Sequence, residues 1–335
     1  MAMALCAGAR SCPLQALLFS LLLLLAAGST AALPAQPAMD RVRWQLGMVS
    51  RRGPSLGLVM SYVDEATALQ ASGYFTPWPA LPFVDLYAPA NKRLQNQVPL
   101  NAAVTVQTLI DVFTVSGIVH YGTAGSSNDS MSFGDVSVPK LVAYTGAWTW
   151  KKFKSPKESS AELRFEEYNI PNGENLLGSL KFRNEELYSV GKPMEEVFWL
   201  PVDLAWFKIA EQLKVKLERC NNTFCLPTTP KVVYGLKGSS ADMFLDNAEY
   251  RKFLFREFGV STVDEESAAV VMTTTSPGIP VIVFRGVSDL AGGEPTWSST
   301  NLMNLASINA LKVAVEFIAT IGKQKPPISV QRSSN

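Results

Sequence analysis

The stretch Pro280–Gly293, PVIVFRGVSDLAGG, decides how this chain is read. Pro280 to Phe284 is an apolar, β-branched run of the kind that forms a buried strand. It leads into Arg285, Ser288 and Asp289, and then into Gly292 and Gly293. Polar groups at the carboxyl end of a strand in an open α/β sheet lie where ligands bind. The plain alternative is a strand running into an ordinary turn, because Asp and Gly mark turns in proteins of every kind. The remainder of the chain has to choose between the two.

Working outward, strands and helices alternate. Ser55 to Val63 (SLGLVMSYV) reads as a strand that runs into Asp64, Glu65 and a helical stretch. QTLIDVFTVSGIVHYG reads as a helix followed by a strand ending at Gly122, and GDVSVPKLVAY and KVVYGL (Lys231 to Leu236) as further strands. DEESAAVVMTTT is helical, and STNLMNLASINALKVAVEFIATIG is a long helix with Leu311, Val315 and Ile318 on one face. Gly322 and Pro326 signal its end. This alternation predicts an α/β fold with a mostly parallel or mixed central sheet. Between Trp150 and Pro230 the texture changes: KKFKSPKESSAELRFEEYN is charged and loop-like, and VDLAWFKIAEQLKVKLE reads as an amphipathic helix. The region 150–230 is therefore read as an elaboration of one domain spanning 50–322, with 323–335 as a flexible tail.

Composition bounds the rest. The 335 residues are 47% hydrophobic and 18% charged, which suits one large globular domain. A net charge of +1 gives no reason to expect a nucleic-acid partner. Beyond Arg10 the run CPLQALLFSLLLLLAAGSTAALPA has a basic flank, an apolar middle and a small-residue exit. That pattern describes a secretory signal over 1–32, cleaved near Ala31 or Ala32, and the chain once cleaved would have no membrane span. The run is short for a permanent anchor and no basic flank follows it directly. An extracellular or vacuolar destination follows. Cleavage removes Cys6 and Cys12 and leaves Cys220 and Cys225, whose short loop in an oxidising compartment reads as a disulfide. A metal site is not expected, because the single histidine, His120, leaves zinc short of soft ligands. Asn221 opens a glycosylation sequon in the same loop. Asn128 opens a second one, discounted because its Gly-rich loop is expected to face a site.

Three clusters carry candidate chemistry. The first is YGTAGSSNDSMSFGDVSVP, Tyr121 to Pro139, where Gly122 and Gly125 let backbone amides approach an anion or sugar hydroxyls. It lacks the Gly-Lys-Ser/Thr ending of a P-loop. The second is Asp264, Glu265 and Glu266 at a helix start, more carboxylates than the helix dipole calls for. A carboxylate is an acceptor suited to a pair of sugar hydroxyls. The third is Arg285, Ser288 and Asp289. His120 reads as a core residue, and TGAWTWKKF as packing.

In this order the clusters, with SSADMFLDN between them, resemble the purine nucleoside phosphorylase and nucleosidase superfamily, and within it the plant branch that includes bark storage proteins. The likeness runs from about Leu56 to Gly322. It implies a nucleoside phosphorylase-like three-layer α/β/α sandwich with a twisted mixed central sheet, commonly a homo-oligomer, that cleaves the N-glycosidic bond of nucleosides. Matched motif to motif, Asp289 stands at the general acid for the leaving purine and Glu266 at the ribose hydroxyls. Thr123 and Gly122 face the anomeric carbon, and Arg285 supports the nucleophile or phosphate. Phe244 stacks on the base, Glu65 activates water in hydrolytic members, and Ser288 orients Asp289. No cofactor is implied; inorganic phosphate would be a co-substrate of phosphorolysis only.

The chemistry suits these roles. Glycosidic cleavage passes through an oxocarbenium-like state, so the base needs a proton and the sugar needs acceptors. Two departures bear on substrate more than on the bond: Glu265 stands where methionine is common, and Thr123 where close bacterial relatives have serine. The resemblance leaves open an active enzyme, by hydrolysis or phosphorolysis, or a catalytically silent storage protein. The 15 Asn and 10 Gln show no amide enrichment of the kind a nitrogen store would favour.

Overall fold

The computed structural model describes residues 54–75, 99–150, 162–164, 179–222, 224–293 and 300–323. The expected signal over 1–32, the charged stretch after Trp150, Thr223 of the first sequon and the tail beyond Lys323 fall outside or largely outside these residues. In chain order the elements are β1 (Ser55–Val59), α1 (Val63–Ser72), α2 (Pro99–Val112), β2 (Val115–Ser126), β3 (Val136–Tyr144), β4 (Trp148–Trp150), β5 (Glu162–Arg164), β6 (Ser179–Phe182), β7 (Glu185–Leu187), β8 (Glu195–Val197), β9 (Leu200–Pro201), α3 (Leu204–Ala210), β10 (Val232–Ser240), α4 (Ala248–Phe258), β11 (Val260–Asp264), α5 (Ser267–Thr275), β12 (Val281–Leu290) and α6 (Thr300–Lys323).

The central sheet is mixed, as expected. β2 pairs in parallel with β1 and β12, and β10 in parallel with β3 and β11. Two short antiparallel pairings, β11 to β2 and β12 to β3, join these halves. The path β2–β11–β10–β3–β12 thus returns to β2, and the sheet closes on itself. Such closure makes the strand ends converge, which a motif-by-motif reading does not reveal.

Alternation along β12 explains the two helical layers. Phe284 packs its ring on Phe317 of α6 at 5.6 Å between centroids, and Gly286 lies so close to the Ala306 carbonyl of α6 that a Cβ would collide with it. Arg285, between them, points the other way and meets Ser267 at the start of α5. Helix α6 therefore covers one face and α5 the other, with both sides of β12 buried. α6 is long and apolar enough to cross a membrane, yet Leu305, Ala306, Ala310, Val313, Ala314 and Phe317 are buried against the sheet, as in a core helix.

Four expectations need correction: the strand expected to end at Gly122 runs on to Ser126, and the one expected over Ser55–Val63 stops at Val59. VDLAWFKIAEQLKVKLE is helical only over Leu204–Ala210. Beyond it, Leu213, Val215 and Leu217 face inward in turn with Lys214 and Lys216, a period of two that marks an extended segment, and Asn309 of α6 ties down Glu218 by accepting from its N–H at 2.7 Å. The final strand also does not end at Phe284. It continues to Leu290 by pairing with β2, so Arg285, Ser288 and Asp289 lie within it. Within the Trp150–Pro230 region the described residues add a small three-stranded sheet, the β7–β8 hairpin, α3, and β9 on the edge of β3. Cys220 and Cys225 form the expected disulfide.

Candidate active site

The register of β12 against β2 places the opening motif. Arg285 stands opposite Gly122 and Asp289 opposite Gly125. The register shifts between Val287 and Asp289, so Ser288 is the extra residue of a bulge. Bulges recur next to active sites because they re-aim a side chain. Here the Ser288 hydroxyl donates to Asp289 Oδ2 at 2.7 Å, and Asp289 Oδ1 lies over Gly125, 3.0 Å from where a Cβ would sit. Gly292 then turns the chain with φ +74° against the backbone of Asn247 and Ala248, an approach no side chain would allow. Four residues of extended strand span about 13 Å, so Arg285 and Asp289 mark two separate points along one wall.

Arg285 is the hub of the first point. It is 1% exposed, and its guanidinium is ringed by acceptors. Nε lies 2.9 Å from Ser267 Oγ and 2.9 Å from Asp264 Oδ2. Nη1 donates to the Thr123 carbonyl at 3.2 Å. Nη2 donates to Glu266 Oε2 at 2.9 Å and meets His120 Nε2 at 2.6 Å. Four of the five N–H groups of the fork are thereby engaged by the protein itself. Glu266 Oε1 has no protein hydrogen-bond partner among the described residues.

Glu65 enters from α1. As the third residue of that helix it accepts the Ser61 and Tyr62 N–H groups on Oε2, at 2.9 and 3.0 Å, which caps the first turn. Its Oε1 accepts the Thr123 N–H at 2.7 Å and the Thr123 hydroxyl at 3.2 Å. Only 2% of it is exposed. The absence of a side chain on Gly122 makes this possible, because a Cβ there would collide with both Arg285 Nη1 and Glu65 Oε1.

Burial and charge split the carboxyls. Burial pushes Glu266 up to about 8, against the pull of Arg285 and with Asp264 and Glu65 adding to the rise. Burial would also raise Asp264, but Arg285 and the Ser240 and Ser267 hydroxyls outweigh it and hold Asp264 below the usual carboxylate range. Asp264 also accepts the Ser267 N–H at 2.8 Å, so it caps α5 as well as anchoring Arg285. Asp289 is raised by burial, opposed by the Ser288 hydroxyl and assisted by the charge of Asp246. Asp289 therefore holds its proton to higher pH than an ordinary aspartate.

Of the residues singled out from sequence, Glu65, Gly122, Thr123, Glu266 and Arg285 come together in one cluster, and Ser288 and Asp289 lie further along the same strand pair. Phe244 stands on the loop after β10 and is 78% exposed. Asn128 is buried, with its amide donating to Ser261 Oγ and its carbonyl taken by Ser130, an arrangement that keeps it from a glycan. Sequence reasoning did not assign His120, Asp264 or Ser267 to the Arg285 cluster. Their contacts span 18 to 165 positions, beyond any local motif. Among the described residues no group of three metal-ligating side chains occurs.

The sheet is closed and mixed with helices on both faces, and it carries an Arg–carboxylate cluster at Gly122 and a bulge-borne aspartate at Gly125. The chain belongs to the Phosphorylase superfamily, whose family model matches residues 98–319. It is 39% identical to bark storage protein A of Populus deltoides over 284 residues, covering 79% of this chain and 88% of that protein. It is 22% identical to a 5'-methylthioadenosine/S-adenosylhomocysteine nucleosidase of Halalkalibacterium halodurans over 225 residues, 67% of this chain and 77% of that one. In three dimensions it is similar to futalosine hydrolase of Helicobacter pylori, with a TM-score of 0.51, 16% identity, and 82% and 99% of the two chains covered.

Proposed function

We propose that the protein is a purine nucleosidase that hydrolyses the N-glycosidic bond. Asp289 gives its proton to the purine as the bond between the base nitrogen and the anomeric carbon breaks. Glu266 engages the ribose hydroxyls through its unshared oxygen. Glu65 takes a proton from the water that attacks the oxocarbenium-like centre. The water enters by replacing the Thr123 hydroxyl at Glu65 Oε1, the longest of that carboxylate's four bonds. Phe244, exposed on its loop, would stack on the bound base in this reading.

The observation that carries hydrolysis over phosphorolysis is the state of Arg285. A phosphate needs free guanidinium N–H groups, and here four of the five are already engaged by Asp264, Glu266, Ser267, Thr123 and His120. Glu65 beside it adds a negative charge that repels phosphate. The test is incubation with a panel of purine nucleosides, with and without phosphate. Base and free ribose should appear in phosphate-free buffer.

The identity to bark storage protein A supports a second reading, a storage protein on the same fold. It predicts no base release by a folded protein under either condition. Both readings place the protein in the secretory pathway, extracellular or vacuolar, and both accommodate a homo-oligomer. The leader-like sequence and the Cys220–Cys225 bridge support the first of these. Exposed Leu100 and Val104 on α2 offer apolar surface for the second.

A further inference from the structure

His120 is fully buried in β2, paired with Val59 of β1 on one side and Val283 of β12 on the other. Its two nitrogens do different things. Nδ1 lies 3.0 Å from the Val59 carbonyl, which can only accept, so Nδ1 carries the hydrogen. Nε2 lies 2.6 Å from Arg285 Nη2, which can only donate, so Nε2 presents a bare lone pair. One tautomer satisfies both partners. The Nη2 that meets His120 is the same nitrogen that donates to Glu266 Oε2.

We infer that His120 is a positioning residue, whose Nε2 lone pair fixes Arg285 so that the guanidinium serves Glu266. An amino group has two hydrogens in one plane, and when one is held by His120 the other must point at Glu266. Without that lone pair, Nη2 keeps a buried N–H with no acceptor, and rotation toward Asp264 or Glu65 becomes the better arrangement. Both carboxylates lie close enough to contribute to the field at Arg285. Glu266 would then lose the contact that orients it toward a sugar. His120 touches no substrate atom in this scheme and acts only through Arg285. Protonation would place a hydrogen between Nε2 and Nη2, and burial together with the Arg285 charge lowers the imidazole to about 3, below any working pH. The charged groups around the ring are Arg285 and Asp264, with Glu266 on the far side of the guanidinium.

The kinetic part of the inference rests on the nucleosidase reading, and the spectroscopic part does not. The chain has one histidine, so protein labelled with ¹⁵N-histidine gives a single pair of imidazole resonances. A neutral Nδ1–H tautomer, unchanged from pH 5 to 8, is expected. The opposite tautomer, or a titration near the ordinary value of about 6.5, overturns the inference. In the full-length protein, His120→Leu should raise KM for the nucleoside about 10- to 100-fold, the range for losing a hydrogen bond to a charged group, with kcat changing less. His120→Gln, which keeps an acceptor near the Nε2 position, should restore most of it. Unchanged KM in a folded His120→Leu also overturns the inference. If the wild type turns nothing over, the nucleosidase reading fails alone, and the imidazole spectrum still decides the role of His120.

Discussion

The Thr123 backbone N–H donates to Glu65 Oε1 at 2.7 Å across 58 positions of chain. This bond joins the start of α1 to the carboxyl-terminal part of β2 and puts a carboxylate beside the glycine that faces Arg285. A helix-capping glutamate and a strand amide thus meet at one point, and Glu65 both caps the helix and holds Thr123.

Glu65→Gln should separate those two roles. The amide keeps an acceptor for Thr123 but turns an NH₂ toward the Ser61 and Tyr62 N–H groups, which costs about 1–3 kcal/mol for the lost capping bonds. Loss of the base should cut hydrolysis by about 10²- to 10⁴-fold. Circular dichroism and base release together check this. Wild-type turnover in a folded Glu65→Gln, or release that depends wholly on phosphate and yields ribose 1-phosphate, would remove Glu65 from the chemistry.

Asp289→Asn keeps size and a hydrogen bond with Ser288 but removes the transferable proton. Base release should fall by about 10²- to 10⁴-fold, while binding of a nucleoside, measured by calorimetry, weakens far less. Equal turnover by wild type and variant would mean that the Ser288–Asp289 bulge is only a turn.

Glu266 links the site to stability. Its carboxyl is raised from an ordinary 4.5 to about 8, so the folded protein holds that proton more tightly than the unfolded chain does. The stabilisation is complete below about pH 4.5, declines as pH rises and is gone once pH passes about 8. Glu266→Gln still accepts from Arg285 and cannot ionise. Melting curves should show the wild type losing stability relative to Glu266→Gln between pH 5 and 8, with the gap level above that. Parallel curves over the whole range would contradict a raised Glu266.

The Cys220–Cys225 bridge closes a loop with a sequence separation of 5. A loop this short removes little entropy from the unfolded chain, so replacing both cysteines with serine should cost about 2 kcal/mol or less. Arg219 donates to the Leu226 carbonyl at 2.7 Å and holds the ends of the loop together without the bridge. Denaturant melts of the double variant check the size, and mass spectrometry of unreduced wild type should find no free thiol at these two positions.

The sequence by itself determined the α/β class, the strand carrying Arg285 and the motif order that marks the superfamily, because these rest on local apolar periodicity and on short runs of glycine and polar residues. It also carried an overlooked signal, the period-two alternation from Leu213 to Leu217. Tertiary structure alone decided the rest. The Ser288 bulge exists because β12 pairs onward with β2, the sheet closes because β11 and β12 each reach across, and Asp264 differs from Glu266 because one lies deep in a ring of donors and the other at its edge. His120 belongs to the Arg285 cluster only because β1, β2 and β12 lie side by side. Its neighbours in sequence are those of any buried strand, and its partner stands 165 residues away.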